Sequence, residues 1–101
     1  MVKYETKYDL RFLEKINDSK FKIYLIRNGL VILDYLILEF VPGNKQIDQA
    51  PINILDGVPE QVREIAPEFV RKMYNTHIKP YRTNPLVSEI KISKWKKDSP
   101  P

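Results

Sequence analysis

The dipeptide Asn28-Gly29 lies between two apolar runs, residues 21–26 and 31–41, and nothing else in the chain narrows its folding so far. A two-residue type I′ turn needs positive φ at both central positions, which Asn and Gly adopt at low cost. The pair therefore predicts a β-hairpin. With Asn28 and Gly29 at its centre, Arg27 faces Leu30, Leu25 faces Ile32 and Ile23 faces Asp34. Asp34 then shares a face with Phe21, Ile23 and Leu25. A buried carboxylate is costly unless paired, so a polar contact, for instance across a symmetric interface, is expected of it rather than catalysis.

The second run is apolar on both faces. Val31, Leu33, Tyr35, Ile37 and Val41 fall on one side, and Ile32, Leu36, Leu38 and Phe40 on the other. Strands covered on one side alternate, whereas strands covered on both sides do not. A single helix covers only one face of a sheet. The second face is thus expected to be covered by residues 42–57, by a partner, or by another copy of the chain. A homodimer is the simplest of these.

On the N-terminal side, Val2, Tyr4, Thr6, Tyr8, Leu10 and Phe12 alternate with Lys3, Glu5, Lys7, Asp9 and Arg11. This is a strand with charges of alternating sign on its outer face, which also discourage edge aggregation. Residues 17–20 mark a turn, giving an N-terminal three-stranded meander. Pro42-Gly43-Asn44 ends the long strand, and residues 45–57 read as a loop whose apolar piece, 52–55, is placed to add an edge strand.

A helix is expected over 58–76, with Val58, Val62, Ile65, Phe69 and Met73 forming its apolar stripe. Pro59 suits its first turn; Pro67 removes a donor and predicts a kink. Residues 86–95 return to a strand pattern. The predicted fold is α+β: a mainly antiparallel four-stranded sheet, the meander plus a C-terminal strand, with one kinked helix packed on one face. Residues 1–95 form a single domain and 96–101 a loose polar tail.

Composition excludes several classes. The chain has no cysteine, hence no disulfide, thiolate nucleophile or ordinary structural zinc site. No apolar core follows a basic start as in a secretory signal, and the most apolar stretch, 30–41, is too short to span a membrane and contains Asp34 and Glu39. An intracellular, non-secreted protein without membrane contact is expected. Abundant Lys, Ile and Glu with few Gln lean toward a thermophile-like composition.

Catalytic chemistry lacks its parts. With one histidine and no cysteine, nucleophilic triads fail on supply, and His77 suits a helix C-terminus as a cap or packing group. Gly29, Gly43 and Gly57 lie too far apart to form a phosphate-cradling loop. Glu89-Ile90-Lys91 resembles the E-x-K half of the signature of PD-(D/E)xK nucleases, in which carboxylates hold a metal and lysine assists the attacking water. In that family the half-motif follows a metal-binding Asp on a neighbouring strand and precedes a helix. Here Asp34, Asp48 and Asp56 are the only candidates for that Asp, and too little chain follows Lys91 for the helix. Glu89 and Lys91 are therefore read as charges on the wet side of an edge strand. No metal, no cofactor and no catalytic residue is assigned.

Charge is unevenly spread. Residues 1–70 hold 9 Lys or Arg against 11 Asp or Glu, and residues 71–101 hold 8 against 2. Arg71, Lys72, Lys79, Arg82, Lys94, Lys96 and Lys97, with Tyr81 and Trp95 among them, form the candidate site: cations for phosphates and rings for bases. The expected function is a small non-enzymatic binding module that contacts DNA or RNA through this basic C-terminal surface. The alternative is a protein-interaction or regulatory accessory factor, for instance a small viral or archaeal protein, with its partner on the second sheet face.

Overall fold

A computed structural model of the chain describes residues 7–83 and 85–95, without the side chains of 31–34. The N-terminal end of the first predicted strand (residues 1–6), the tail at 96–101 and the environment of Asp34 lie outside the described residues.

The meander forms as the turn chemistry requires. Strand β1 (Tyr8–Lys15) pairs antiparallel with β2 (Lys20–Arg27), which pairs antiparallel with β3 (Leu30–Lys45). Between β1 and β2, the Asn17 side-chain oxygen accepts the backbone N–H groups of Ser19 and Lys20, both at 2.9 Å. Between β2 and β3, Asn28 (φ 50°) and Gly29 (φ 82°) both take positive φ, as a type I′ turn demands. Arg27 faces Leu30 and Leu25 faces Ile32 as expected.

The third expected pair does not form. Between Tyr24 and Leu25 the register shifts, so that Tyr24 faces Tyr35 and Ile23 faces Leu36 rather than Asp34. The shift adds two residues to β3. A strand alternates with period two, so each face keeps its apolar set while every cross-strand neighbour changes.

Strand β3 runs on through the predicted stop to Lys45, irregularly at Pro42. Here Gly43 donates its N–H to the Leu86 carbonyl at 3.2 Å. A Cβ on Gly43 would approach the Ser88 backbone inside 3.0 Å, so the crossing of the two strands demands glycine.

The sheet has five strands, not four, in the order β1-β2-β3-β5-β4. Strand β5 (Val87–Lys94) pairs antiparallel with β3. The short β4 (Ile52–Ile54) pairs parallel with β5, so the sheet is mixed. The segment between these parallel partners contains helix α1 (Val62–His77). Strand β5 is therefore internal, which corrects its placement at an edge; β1 and β4 are the edges.

Helix α1 starts later than the sequence pattern indicates. Val62, Arg63 and Glu64 donate backbone N–H bonds to Pro59, Glu60 and Gln61, a tight lead-in turn. Pro67 lies within the helix with its side chain exposed to solvent. The buried stripe is Val62, Ala66, Val70, Met73 and Tyr74; Ile65 and Phe69 flank it, half buried. Compared with the predicted stripe, the inward face is turned by about one residue.

This stripe packs on Phe21, Ile23, Leu36, Leu38, Ile90 and Ile92, each nearly or fully inaccessible to solvent. Each fully buried side chain of this size contributes roughly 1.5–3 kcal/mol as an upper bound. Ile47 and Ala50 pack against the same core, and Asp48 pairs with Arg71 on the helix at 3.4 Å. The 42–57 segment therefore serves the helix side, and among the described residues no element lies over the opposite sheet face.

Candidate functional site

The face opposite the helix carries alternate residues of four strands: Arg11 of β1, Lys22 and Tyr24 of β2, Tyr35 and Ile37 of β3, Lys91 and Ser93 of β5; Ile26 of β2, on the same face, is buried. Trp95 follows β5 and donates its backbone N–H to the Tyr35 carbonyl at 2.8 Å, which extends the ladder by one residue. Arg11 faces Tyr24, Tyr24 faces Tyr35, and Tyr35 is bonded to Trp95. Four strands thus contribute one row, Arg11–Tyr24–Tyr35–Trp95, running across the sheet with strands about 4.8 Å apart.

The register shift in β3 assembles this row. Regular pairing from the Asn28-Gly29 turn would set Leu33 opposite Tyr24; the two inserted residues bring Tyr35 there instead. The rings touch. Tyr24 and Tyr35 lie 5.6 Å apart at 56°, and Tyr35 and Trp95 5.8 Å apart at 68°. These separations fall in the attractive range for aromatic pairs.

Lys22 bridges the Tyr35 and Trp95 rings. Its Nζ lies 3.9 Å from the centre of the Trp95 ring and 4.5 Å from that of Tyr35, and its side chain is only 15% exposed. Its carboxylate neighbour, Glu14, is 4.0 Å away and largely in solvent. The ammonium is thus held chiefly by ring faces.

Charge on the face is nearly balanced among the described residues: Lys7, Arg11, Lys20, Lys22 and Lys91 stand against Asp9, Glu14, Glu39 and Glu89. Lys91 pairs with Glu89 at 3.4 Å, and the Asn53 amide donates to the other Glu89 oxygen. The Glu89–Lys91 pair is therefore an ion pair on the open side of an internal strand. Among the described residues no group of three or more acidic or histidine side chains is placed to hold a metal ion.

The residues singled out from the sequence do not converge. Trp95 lies on the open sheet face, whereas Arg71, Lys79 and Arg82 line a groove of about 630 Å³ on the helix side, floored by Ile47 and Tyr74. Two of these cations are engaged: Arg71 with Asp48, and Arg82 with Asp18 at 3.7 Å. Lys72 borders a different groove, beside β1. Tyr81 is 77% exposed on the turn after the helix, and Lys94 sits at the end of β5 near Gly57. Lys96 and Lys97 lie outside the described residues.

Asp18 has its carboxyl held below the ordinary value for aspartate. The main cause is the Lys15 ammonium hydrogen-bonded to it at 3.0 Å, with Arg82 adding to the effect. His77 packs as a ring, stacking on Phe12 at 4.2 Å and lying 5.7 Å from Phe21. This agrees with a packing role.

Tyr24 and Tyr35 are members of the row that sequence reading missed. Both read as ordinary members of alternating strands, and their alignment depends on a register shift that leaves the alternation intact. No family model matches the chain, and neither does any curated protein or solved structure. Among the described residues no helix is long and apolar enough to cross a membrane.

Proposed function

We propose that the protein is a non-enzymatic binding module for single-stranded nucleic acid, with the strand laid along the Arg11–Tyr24–Tyr35–Trp95 row. The observation that supports this is the row itself: three rings in contact along the sheet face opposite the helix, with Arg11 at its end. Every base has a π-face, so rings in sequence bind single strands without reading sequence. Arg11, exposed at the β1 end of the row, supplies charge for phosphates, and the sequence that follows Trp95 adds Lys96 and Lys97. The basic C-terminal surface thus acts through its junction with the sheet, not through the helix-side groove.

Trp95 is the only tryptophan, so its fluorescence reports directly on a ligand at the row. Titration with single-stranded DNA and RNA should change that emission, and binding should weaken with salt at about 0.7 log units per phosphate contact. Tyr35→Ala should weaken binding by ~1–3 kcal/mol, roughly five- to 160-fold, if a base stacks there. Arg71→Gln, on the helix side, should leave it nearly unchanged. Absence of any binding at low salt refutes the proposal.

The second reading is a protein partner on the same face. Its support is the near balance of acidic and basic side chains, which suits a mixed protein surface as well as a phosphate backbone. Affinity insensitive to Tyr35→Ala and to salt would favour it.

A further inference from the structure

We propose that the edge of β1 that has no strand partner among the described residues is a self-recognition site, at which a second copy of the chain adds its own β1 antiparallel about a two-fold axis through Leu10. The backbone sets which residues can pair. Lys7 faces β2, since its carbonyl accepts the Asn28 N–H and its N–H donates to the Asn28 side chain, both at 2.8 Å. Alternate residues then point their N–H and C=O groups the other way, so Tyr8, Leu10 and Phe12 address the open edge. Leu10 reports this directly. Its N–H finds no strand partner and is capped by the Asp9 carboxylate at 2.8 Å.

Pairing Leu10 with Leu10 of a second copy places Tyr8 opposite Phe12, all with outward backbone groups. It also places Asp9 opposite Arg11, twice, in the non-hydrogen-bonded positions where side chains lie closest. Charges on this strand alternate in sign, so this register is attractive. Shifting the sum of paired residue numbers by two in either direction sets Asp9 against Asp9 or Arg11 against Arg11. Both side chains are exposed and neither makes an ion pair inside the described chain. On pairing, the Leu10 N–H passes to the partner's carbonyl and the Asp9 carboxylate is released to Arg11.

A second feature points the same way. A groove of about 660 Å³ lies along this edge between β1 and α1, with Leu10, Phe12, Ile65 and Phe69 in its lining. Phe12 is 39% exposed there. A two-fold axis perpendicular to the sheet keeps the faces in register, so the incoming strand presents its own Tyr8, Leu10 and Phe12 on this side and covers the groove. This surface shares Arg11 with the aromatic row, but its readout is the oligomeric state, which is measured without nucleic acid, and Asp9→Arg tests it at a residue outside the row.

Two measurements on the full chain decide the matter. In sedimentation velocity at micromolar concentrations the wild type should be a dimer. Asp9→Arg and Arg11→Asp should each raise the dimer Kd about tenfold or more, because two repulsive pairs replace two attractive ones. The double exchange, Asp9→Arg with Arg11→Asp, should restore it. A strict monomer, or a dimer that the double exchange does not restore, overturns the proposal. The second measurement uses the absence of native cysteine. Asp9→Cys and Arg11→Cys chains, mixed and mildly oxidised, should form a disulfide-linked pair, since opposed Cα atoms about 4.5 Å apart are within disulfide reach. Either chain alone should cross-link far less. Equal cross-linking of each alone, or none in the mixture, refutes the register.

Discussion

The contact between Lys22 and Trp95 sets a measurable expectation. Cation–π attraction is about 0.5–1 kcal/mol at exposed sites and about 2 kcal/mol when the cation is desolvated. Lys22 is 15% exposed and lies 3.9 Å from the Trp95 ring centre, but it shares its charge with Tyr35 at 4.5 Å. A Lys22–Trp95 coupling of about 1 kcal/mol follows. The perturbation is a double-mutant cycle with Lys22→Gln, Trp95→Leu and the pair. Stability is read by urea unfolding monitored by circular dichroism, because Trp95→Leu removes the fluorescent probe. In a domain of this size 1 kcal/mol corresponds to about 4–8 °C in Tm, well above error. Glu14→Gln is the control: at 4.0 Å from Lys22 and largely exposed, it should cost under about 0.5 kcal/mol. A coupling within about 0.3 kcal/mol of zero would refute the reasoning and reduce the contact to proximity.

Gly43→Ala should destabilise the chain by about 1–3 kcal/mol, since its Cβ meets the backbone of Ser88, which cannot turn aside as a side chain tip can; Gly29→Asn, at a position with open space and positive φ, should cost less, and equal losses would contradict this. The Asp18 carboxyl, lowered in the folded state, contributes stability above the ordinary aspartate value of 3.8, and this contribution is lost as pH falls through the folded value. NMR titration should place its midpoint below 3.8, and Lys15→Gln should raise it more than Arg82→Gln does; an unshifted midpoint would mean the ion pairs are not formed in solution.

The parts of the fold that depend on local chemistry were legible in the sequence. Asn28-Gly29 fixes its turn and the two pairs nearest it, because the positive φ requirement acts within two residues. The register shift beyond Leu25 was not legible, because an insertion of two leaves the hydrophobic alternation intact. Strand β4 was legible as an apolar edge piece at 52–55, but its parallel pairing with β5, about forty positions away, leaves no signal in so short a segment. In the helix, Ile65 and Phe69 suggested an inward stripe, but close packing on the sheet favours the small Ala66 and Val70 at its centre.

The candidate site divides along the same line. Trp95 was visible as an aromatic among lysines, whereas Tyr24 and Tyr35 join it only through pairing. Arg71, Lys79 and Arg82 failed to join it because the helix and the open face lie on opposite sides of one sheet. Proximity in sequence says nothing about which side of a sheet a segment passes.

The strand order also bears on how the chain emerges from the ribosome. Strand β3, the richest in apolar residues, is flanked by β2 and β5, and β5 is made last of these five strands. Until residues 87–94 have left the exit tunnel, one whole border of β3 has no partner and the apolar stripe of the helix has only part of its platform. Synthesis stalled or cut short before that point leaves a sticky template open to any other extended chain. The eight residues of β5 are thus both a structural element and the latch that ends the vulnerable interval of each new molecule.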